Sequence, residues 1–578
     1  MKQKSFRLLA LIMAIGMVLT VCNIPEAKGE SESKWPEYLN MDSVYPIIKD
    51  EYADDITLKM IIVQDSTASE WNDLYVAKYL KEKYNLTFEV ESIPSTAVDD
   101  RKYLLFNSGE LPDIILNMVL STADILNYGQ EEGMLLKMDE YISEELTPGI
   151  YYYLYGEGGR SDARSAATTP DGHIYVLPRL LESNNMALYA STFINRKMVE
   201  AVGKEMPKTL DEFTDVMYAI KNADLPGIGS ENVYPLGTGM KNSNKSTAWM
   251  ILNAFGYVTR NAYGYSPAVR NGKFVIPAYD MEVFQEYLKV MNQYFTDGII
   301  NPNYFTMEET EEKAQLLNGI SAVFPTPVYI QGVETWNEWD ACYPLTSQWN
   351  DTPVAHKDGA VAVNRLAISA HTKYPELCMR VMDIFYNTQT DDPMLFSDGP
   401  LGGCPAYGDD KNLGFEPLYV YDPETGMETE NPKLNDAYGH KVNNLVGMYP
   451  GFGTFSLEDC LAAWYREAGV EYHPYVFDKT KNGDDYYKVS VSENVAPNQA
   501  KYSFPGIYFV DSQTNQRLTD LATVIEPYIK EQVALFITGN RPISETEAFV
   551  KELQAMGIED LMAIYQQIYD NYLATLGE

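Results

Sequence analysis

The chain has 578 residues, which is too many for one hydrophobic core, so at least two domains or lobes are predicted. With 44 basic and 82 acidic residues the formal net charge is −38, which excludes a general affinity for nucleic-acid backbones or anionic lipid surfaces. Tyrosine is abundant, at 44 residues beside 7 tryptophans, and such amphipathic aromatic side chains serve both in cores and in sugar-binding clefts.

Residues 1–29 have the pattern of a secretory signal peptide, with basic residues before an apolar run from Leu8 to Val21. The run of about fourteen residues is shorter than the roughly 20 that a membrane-spanning helix needs. Two processing sites stay open: a lipobox-like sequence that ends in Cys22, and the small-x-small sequence Ala27-Lys28-Gly29. We therefore expect an exported protein, anchored at the cell surface by a lipid if Cys22 is acylated and secreted otherwise.

From Ile56 onward, strand and helix patterns alternate along the chain. The run ITLKMIIVQD predicts a buried strand, a helix with Trp71 and Tyr75 near one face follows, and TFEVESI predicts a second strand. A turn at 108–112 then leads into DIILN, a short strand that ends at Asn117. This alternation predicts an α/β lobe with a largely parallel sheet, whose ligand lies beyond the carboxyl ends of the strands.

Later segments are predicted to be helical. Thr209 with Glu212 forms a capping box that begins one helix, and an apolar stripe over residues 283–295 indicates a second. Near the C-terminus, Ser544 with Glu547 is interpreted as another capping box.

Motifs that carry chemistry are missing from the sequence. It contains no GxSxG, Walker, HExxH or kinase signature. The 5 histidines include no pair at i, i+4, and the 5 cysteines form no CxxC or tight cluster, although one or two disulfides stay open. Carboxylates are numerous, but a glycosidase needs two of them placed across one bond, and the sequence does not locate such a pair.

One segment imitates the start of an EF-hand calcium loop. Residues 478–483, DKTKNG, place oxygen-bearing side chains at positions 1, 3 and 5 and glycine at position 6. Position 12 is Val489, whereas an EF-hand has a bidentate glutamate there. A solvated turn is therefore the favoured interpretation, with a calcium site as the alternative.

Short motifs spread over most of the chain carry a family resemblance. They are SGELPDI (108–114), TPDGHIYVLP (169–178), FINRK (193–197) with PKT and EF (207–213), DGIINP (297–302), ISA with YPE (368–376), and FITG leading to Gly557 (536–557). Taken in this order, they resemble the extracellular solute-binding proteins of family 1. Within that family, the resemblance is to the long oligosaccharide-binding lipoproteins of Gram-positive ABC importers.

The resemblance implies an α/β, two-lobed, periplasmic-binding-protein-like type II fold with crossing strands between the lobes and extra C-terminal helices. In such a fold the ligand lies between the lobes, and their closure is recognised by the importer. We place the crossings near 186–193 and 361–369. The expected lobes are residues 36–187 plus 362–400 for the N-terminal lobe and residues 190–361 plus 401–578 for the C-terminal lobe.

Candidate ligand contacts are taken from strand ends, from loops after matched motifs, and from aromatic residues outside helical stripes. The resemblance implies a sugar-stacking aromatic after small residues such as 319–323, and Tyr329 falls there, with Trp336 as second choice. Trp249 and Trp464 also have apolar neighbours that suit a core position. The expected contacts are Ser66, Thr67, Asn117, Arg179, Trp249, Tyr329 and Trp464.

Residues 224–235 depart from the family pattern, because many long relatives carry a calcium loop at this place. Pro226 and Ile228 occupy positions that should supply oxygen ligands. We therefore expect no calcium here, and no other metal or cofactor.

The resemblance implies the substrate-binding component of an ABC importer. The expected ligand is an oligosaccharide, with a peptide or another small polar solute as the alternative, and the expected protein partners are the membrane subunits of the permease. We expect a monomer without catalytic residues and without a nucleic-acid partner. A secreted carbohydrate-active enzyme or a surface adhesin is the alternative function.

Overall fold

The computed structural model describes most of the chain after the signal segment. Four of the predicted functional residues, Cys22, Ser66, Thr67 and Trp464, lie outside the described residues. No helix within the described part is both long and apolar enough to cross a membrane. The described ranges are 34–43, 46–64, 70–73, 75–180, 191–223, 233–241, 246–357, 361–386, 419–422, 427–430, 478–480 and 483–575.

The strands are numbered in chain order. They are Leu58–Gln64 (β1), Phe88–Pro94 (β2), Ile114–Leu116 (β3), Val176–Leu180 (β4), Phe193–Asn195 (β5), Ala268–Arg270 (β6), Lys273–Val275 (β7), Val323–Phe324 (β8), Trp339–Ala341 (β9), Val361–Ile368 (β10), Tyr419–Asp422 (β11) and Met427–Glu430 (β12).

The helices of at least six residues are numbered in the same way, and a π-helix at Ile125–Glu131 keeps its description. They are Tyr75–Tyr84 (α1), Val98–Ser108 (α2), Pro148–Leu154 (α3), Ser161–Ala167 (α4), Arg196–Ala201 (α5), Leu210–Lys221 (α6), Ala248–Asn253 (α7), Met281–Thr296 (α8), Glu309–Leu317 (α9), Pro375–Ile384 (α10), Gly483–Asn494 (α11), Ser512–Thr538 (α12), Thr546–Ala555 (α13) and Ile558–Thr575 (α14).

A five-stranded sheet in the order β2-β1-β3-β10-β4 organises the first lobe. β1 runs parallel to β2 and to β3, whereas β10 runs antiparallel to β3 and to β4. The predicted strand-helix-strand unit and the parallel pairing of its strands are thus confirmed. Side chains alternate between the two faces of the sheet, so that Ile61 and Ile62 of β1 enter different apolar clusters.

The second lobe is built around the three-stranded sheet β8-β5-β9 and a larger set of helices. The predicted apolar stripe over residues 283–295 is the buried face of α8, which packs against α12. The capping box is also confirmed, since the Thr209 hydroxyl accepts the backbone N–H of Glu212 and the Glu212 carboxylate accepts that of Thr209. Two antiparallel hairpins, β6-β7 and β11-β12, complete the described strands.

One local prediction is wrong. Helix α13 begins at Thr546 behind a 3₁₀ turn, Ile543–Glu545, and no side chain caps it, so Ser544 with Glu547 is not a capping box. Residues 361–368, where the second crossing is expected, form β10, which lies between β3 and β4 in the first sheet. The crossings and the lobe boundaries stay predictions.

A segment without regular structure, residues 500–511, touches both lobes. Ile507 and Phe509 pack against apolar clusters of the first lobe, whereas Tyr508 and Val510 pack against the large cluster of the second lobe. At its end, the Ser512 hydroxyl donates to the Glu131 carboxylate of the first lobe at 2.6 Å. The alternation matches an extended chain, in which successive side chains point to opposite sides.

Candidate functional site

A pocket opens in the second lobe where its small sheet meets α7. Thr192 directly precedes β5 and Cys342 directly follows β9, and the Cys342 N–H donates to the Thr192 carbonyl at 2.7 Å. This main-chain bond holds the two strand ends together at one wall of the pocket. The enclosed cavity is small, about 20 Å³, and its lining residues are Ser191, Thr192, Trp249, Met250, Asn253, Cys342, Pro344, Val354, Ala355 and Val495.

Helix α7 forms the opposite wall and is held at both ends by buried polar groups. At its start, the Thr247 and Thr238 hydroxyls are hydrogen-bonded at 3.0 Å. At its end, the Asn253 amide donates to the carbonyls of Tyr257 and Thr259, which fixes the chain as it leaves the helix. The Trp249 side chain is therefore presented to the pocket by a short but well-anchored helix.

Two polar atoms of this pocket have unmet hydrogen-bonding capacity. Neither the Trp249 indole Nε1 nor the Thr192 hydroxyl has a hydrogen-bond partner among the residues that the structure describes. Both side chains are deeply buried, with exposed fractions of 4% for Trp249 and 3% for Thr192. A buried polar group without a partner costs about 1–3 kcal/mol, so these two groups indicate a place for an acceptor atom from outside the protein.

The lining residues contain one ionisable side chain, that of Cys342. Burial, and secondarily the charge of Asp340, raises the pKa of the Cys342 thiol, so that the thiol stays protonated near neutral pH. A protonated thiol is a weak nucleophile. The pocket can therefore donate hydrogen bonds, but its lining brings no ready acid, base or nucleophile to a bound group.

Residues 64–389, more than half of the chain, match the family described as bacterial extracellular solute-binding proteins. The chain belongs to this family. The small, buried pocket has one ionisable side chain in its lining, which agrees with a binding role.

Two curated proteins are similar to this solute-binding protein, one over almost its whole length and one over less than half of it. The fructooligosaccharide ABC transporter substrate-binding protein FusA of Streptococcus pneumoniae is 23% identical over 99% of each chain. The lipoprotein LipO of Bacillus subtilis is 23% identical over 42% of this chain and 44% of its own.

Solved structures of similar fold agree with the two-lobed type II architecture. FusA in complex with kestose has a TM-score of 0.67 and 21% identity, and the match covers 90% of this chain and 100% of that one. An HMO-binding, ABC-transporter-associated solute-binding protein from Bifidobacterium longum infantis has a TM-score of 0.70 and 16% identity, and the match covers 89% of this chain and 99% of that one. The expected fold class is thereby confirmed.

Among the predicted site residues within the described ranges, Trp249 alone lines the pocket. Asn117 follows β3, as predicted, with a left-handed backbone (φ 57°), and its side-chain amide donates to the Val63 carbonyl of β1 at 3.4 Å. Arg179 lies in β4 opposite Ala362 of β10 and is half-buried. Both residues belong to the first-lobe sheet, and their roles in binding stay predictions.

Tyr329, predicted to stack on a sugar, lies in the 3₁₀ turn Val328–Gln331 and is half-buried. One side of its ring is covered by the start of α11: a Cβ added to Gly483 would lie 2.8 Å from the Tyr329 Cγ. Its ring centroid is 5.5 Å from that of Tyr487. The ring of Trp336, the second choice, makes an edge-to-face contact with that of Tyr486, with 5.7 Å between the ring centroids. For Tyr329, only the uncovered face of the ring can stack on a sugar. Stacking on a sugar stays a prediction for both residues.

Sequence reasoning missed Thr192, Asn253 and Cys342. A signal for Thr192 was present, because it directly precedes the matched motif FINRK at the start of β5. The sequence carries no such signal for Asn253 or Cys342, because an asparagine at a helix end and an isolated cysteine are common in any core. Within the described part of the chain, the two cysteines Cys342 and Cys378 are free thiols.

The EF-hand-like segment forms a local turn in its described part. The Asp478 carboxylate accepts the backbone N–H of Thr480 at 2.9 Å and its hydroxyl at 2.8 Å. These bonds are typical of an aspartate that closes a turn on its own backbone. The described residues hold no group of three or more histidine, cysteine, aspartate or glutamate side chains that could bind a metal ion. The predicted departure at residues 224–232 lies outside the described ranges.

Proposed function

We propose that this protein captures an oligosaccharide outside the cell and delivers it, chemically unchanged, to the membrane subunits of an ABC importer. Its membership of the solute-binding family supports capture. The similarity to FusA, over nearly the full length of both chains, supports both the importer and an oligosaccharide ligand. A peptide or another small polar solute is the alternative ligand.

The observation that carries the proposal is the small pocket in which two buried donors, the Trp249 indole N–H and the Thr192 hydroxyl, have no hydrogen-bond partner among the described residues. Sugar hydroxyl and ring oxygens accept hydrogen bonds. The enclosed volume of about 20 Å³ is room for about one water-sized group. We therefore assign to the pocket a single hydroxyl group of the sugar, with the rest of the oligosaccharide extending between the lobes.

A matched set of variants tests this assignment by calorimetric titration with kestose and longer fructooligosaccharides. Trp249→Phe keeps a ring but removes the indole N–H, and Thr192→Val removes the hydroxyl at nearly constant volume. Each loses one hydrogen bond of about 1 kcal/mol, so affinity falls about fivefold per variant. Trp339→Phe is the control, because the buried Trp339 indole also lacks a described partner but does not line the pocket.

Equal affinities for Trp249→Phe, Trp339→Phe and the unaltered protein would remove the pocket from the binding site. A screen in which no oligosaccharide raises the melting temperature, while a peptide does, would replace the proposed ligand by the alternative.

Non-catalysis is part of the proposal. The pocket lining lacks the pair of carboxylates that a glycosidase requires, and its one thiol is held protonated. Chromatography of the oligosaccharide after prolonged incubation should return it intact. Cleavage in proportion to the protein added would favour the secreted carbohydrate-active enzyme instead, and intact sugar with attachment of cells to immobilised glycan would favour an adhesin.

We further propose that the mature protein is a monomer held at the cell surface through a lipid on Cys22. The likeness to the lipoprotein LipO supports the anchor. Intact-mass analysis of the native N-terminus checks it: a diacylglyceryl cysteine is expected, and a mature chain that begins at Glu30 would contradict the anchor. Light scattering of the purified protein checks the monomer.

A further inference from the structure

Strand β9 is an edge strand of the second-lobe sheet, since the described strands pair with it on one side only, through β5. Its last residue, Ala341, is bound on the other side by helix α11. The Ala341 N–H donates to the Ser490 hydroxyl at 2.8 Å, and its carbonyl accepts the Asn494 side-chain amide at 3.0 Å. Ser490 and Asn494 are four residues apart and therefore lie on one face of the helix. Side chains of α11 thus satisfy this sheet edge, as the backbone of a further strand would do.

The end of α11 also reaches the pocket. Ala341 directly precedes the lining residue Cys342, whose N–H donates to the chain just before β5. Val495 directly follows α11 and is itself a lining residue. Three residues further on, the Asn498 carbonyl accepts the N–H of Ala355, a third lining residue, at 2.8 Å. One helix end is therefore tied to three residues of the pocket wall.

The first half of α11 is anchored on β9 and on the turn before it. The Tyr486 hydroxyl donates to the Asp340 carboxylate of β9 at 2.6 Å. The Tyr487 hydroxyl donates to the Trp336 carbonyl at 3.0 Å. Ser490 and Tyr487 are buried, so water cannot readily take the place of a lost protein partner. The position of the strand end thus depends on these side-chain hydrogen bonds of the helix.

We infer that Ser490 and Asn494 are positioning residues for the ligand, because they fix the end of β9 and with it the pocket wall at Cys342. The inference rests on the proposed function, in which a sugar hydroxyl enters this pocket. An enclosed volume of about 20 Å³ leaves room for about one water-sized group. A small shift of the wall therefore changes how well that hydroxyl meets its donors, and a loosened wall must be ordered again when the ligand binds.

The first measurement needs no sugar. Iodoacetamide alkylates accessible thiols, and peptide mass spectrometry separates the rate at Cys342 from that at Cys378, a buried free thiol of the first lobe. Ser490→Ala removes a hydroxyl that holds the strand end, so it should raise the Cys342 rate about fivefold and leave Cys378 unchanged. Ser492→Ala is the matched control, because the exposed Ser492 hydroxyl lies on the same helix and donates to the Val489 carbonyl.

The second measurement is calorimetric titration with kestose. Ser490→Ala should bind about fivefold more weakly than the unaltered protein, whereas Ser492→Ala should bind equally well. Thr214→Val is the control for stability, since it loses a hydroxyl bonded to the Leu210 carbonyl in α6, which does not line the pocket. Thr214→Val should melt at a lower temperature and keep its affinity, which separates positioning from a general loss of stability.

Three results would each overturn the inference. They are equal Cys342 alkylation in Ser490→Ala and Ser492→Ala, faster alkylation without weaker binding of kestose, and an equal loss of affinity in Thr214→Val and Ser490→Ala. If the unaltered protein bound no oligosaccharide, the proposed function would fail, and the alkylation rates would still decide whether α11 holds the strand end. Asn494→Ala removes the other hydrogen bond to this strand end, carries the same expectations, and decides the question if Ser490→Ala does not fold.

Discussion

At the scale of single residues, Asp383 shows how one buried charge links stability to pH. Its carboxylate lies in the first-lobe core beneath the start of α3 and accepts the backbone N–H groups of Ile150 at 2.8 Å and Gly149 at 3.3 Å. Burial raises the pKa of Asp383 to about 7, even though these two N–H groups and the charge of Arg380 act in the opposite direction.

This raised pKa predicts that Asp383 makes the folded protein less stable as the pH rises. A carboxyl with a folded pKa of about 7 and an unfolded value near 3.8 binds its proton more tightly when folded. Its contribution is complete below about pH 4 and is lost on the way to pH 7, by at most about 4 kcal/mol. Asp383→Asn cannot ionise, so its unfolding free energy should fall less between pH 5 and pH 8.

Denaturant unfolding of both proteins at pH 5, 6.5 and 8 measures the difference. Asn keeps one acceptor oxygen for the Ile150 N–H but places an amide near the Gly149 N–H, so a pH-independent loss of about 1 kcal/mol is also expected. Parallel stability curves for the two proteins would show that Asp383 does not titrate in this range.

At the scale of elements, sequence patterns predicted a strand or helix correctly where interactions between residues close in sequence determine it. The capping box at Thr209 and the apolar stripe of α8 were correct, because capping and periodic burial act within a few turns of helix. The box at Ser544 was wrong, since a 3₁₀ turn moves the helix start to Thr546. Short-range spacing cannot distinguish these two starts.

The candidate site was harder to predict than the elements, because its members come from segments that are distant in sequence. Trp249 was found through its aromatic type. Thr192, Asn253 and Cys342 come together only through the pairing of β5 with β9 and the packing of α7. The covering of one Tyr329 ring face by Gly483 likewise depends on a contact across more than a hundred residues, which periodicity does not reveal.

The segment 507–510 yields a prediction about how the lobes are coupled. Phe509 is half-buried against the first lobe, while its neighbours Tyr508 and Val510 pack on the second. Phe509→Ala removes part of the first-lobe contact, worth about 1–2 kcal/mol for a half-buried ring. In scanning calorimetry, the unfolding temperatures of the two lobes should then differ by more than they do in the unaltered protein. Val524→Ala, at an exposed position of α12, is the control, and an identical separation in both variants would contradict coupling through this segment.

At the scale of the whole molecule, the excess of acidic residues predicts how stability responds to salt. A net charge of −38 repels itself within the compact state, whereas individual exposed ion pairs contribute about 0–1 kcal/mol each. Raising the ionic strength from about 0.01 M to about 0.15 M shortens the Debye length from roughly 30 Å to about 8 Å, which screens both effects. Because the repulsion involves many more charges than the surface pairs do, salt should raise the melting temperature at pH 8. The rise should shrink near the isoelectric point of about 4.5, where the net charge vanishes. A fall in melting temperature with salt at pH 8 would instead show that the ion pairs, such as that of Arg101 with Glu91, outweigh the repulsion.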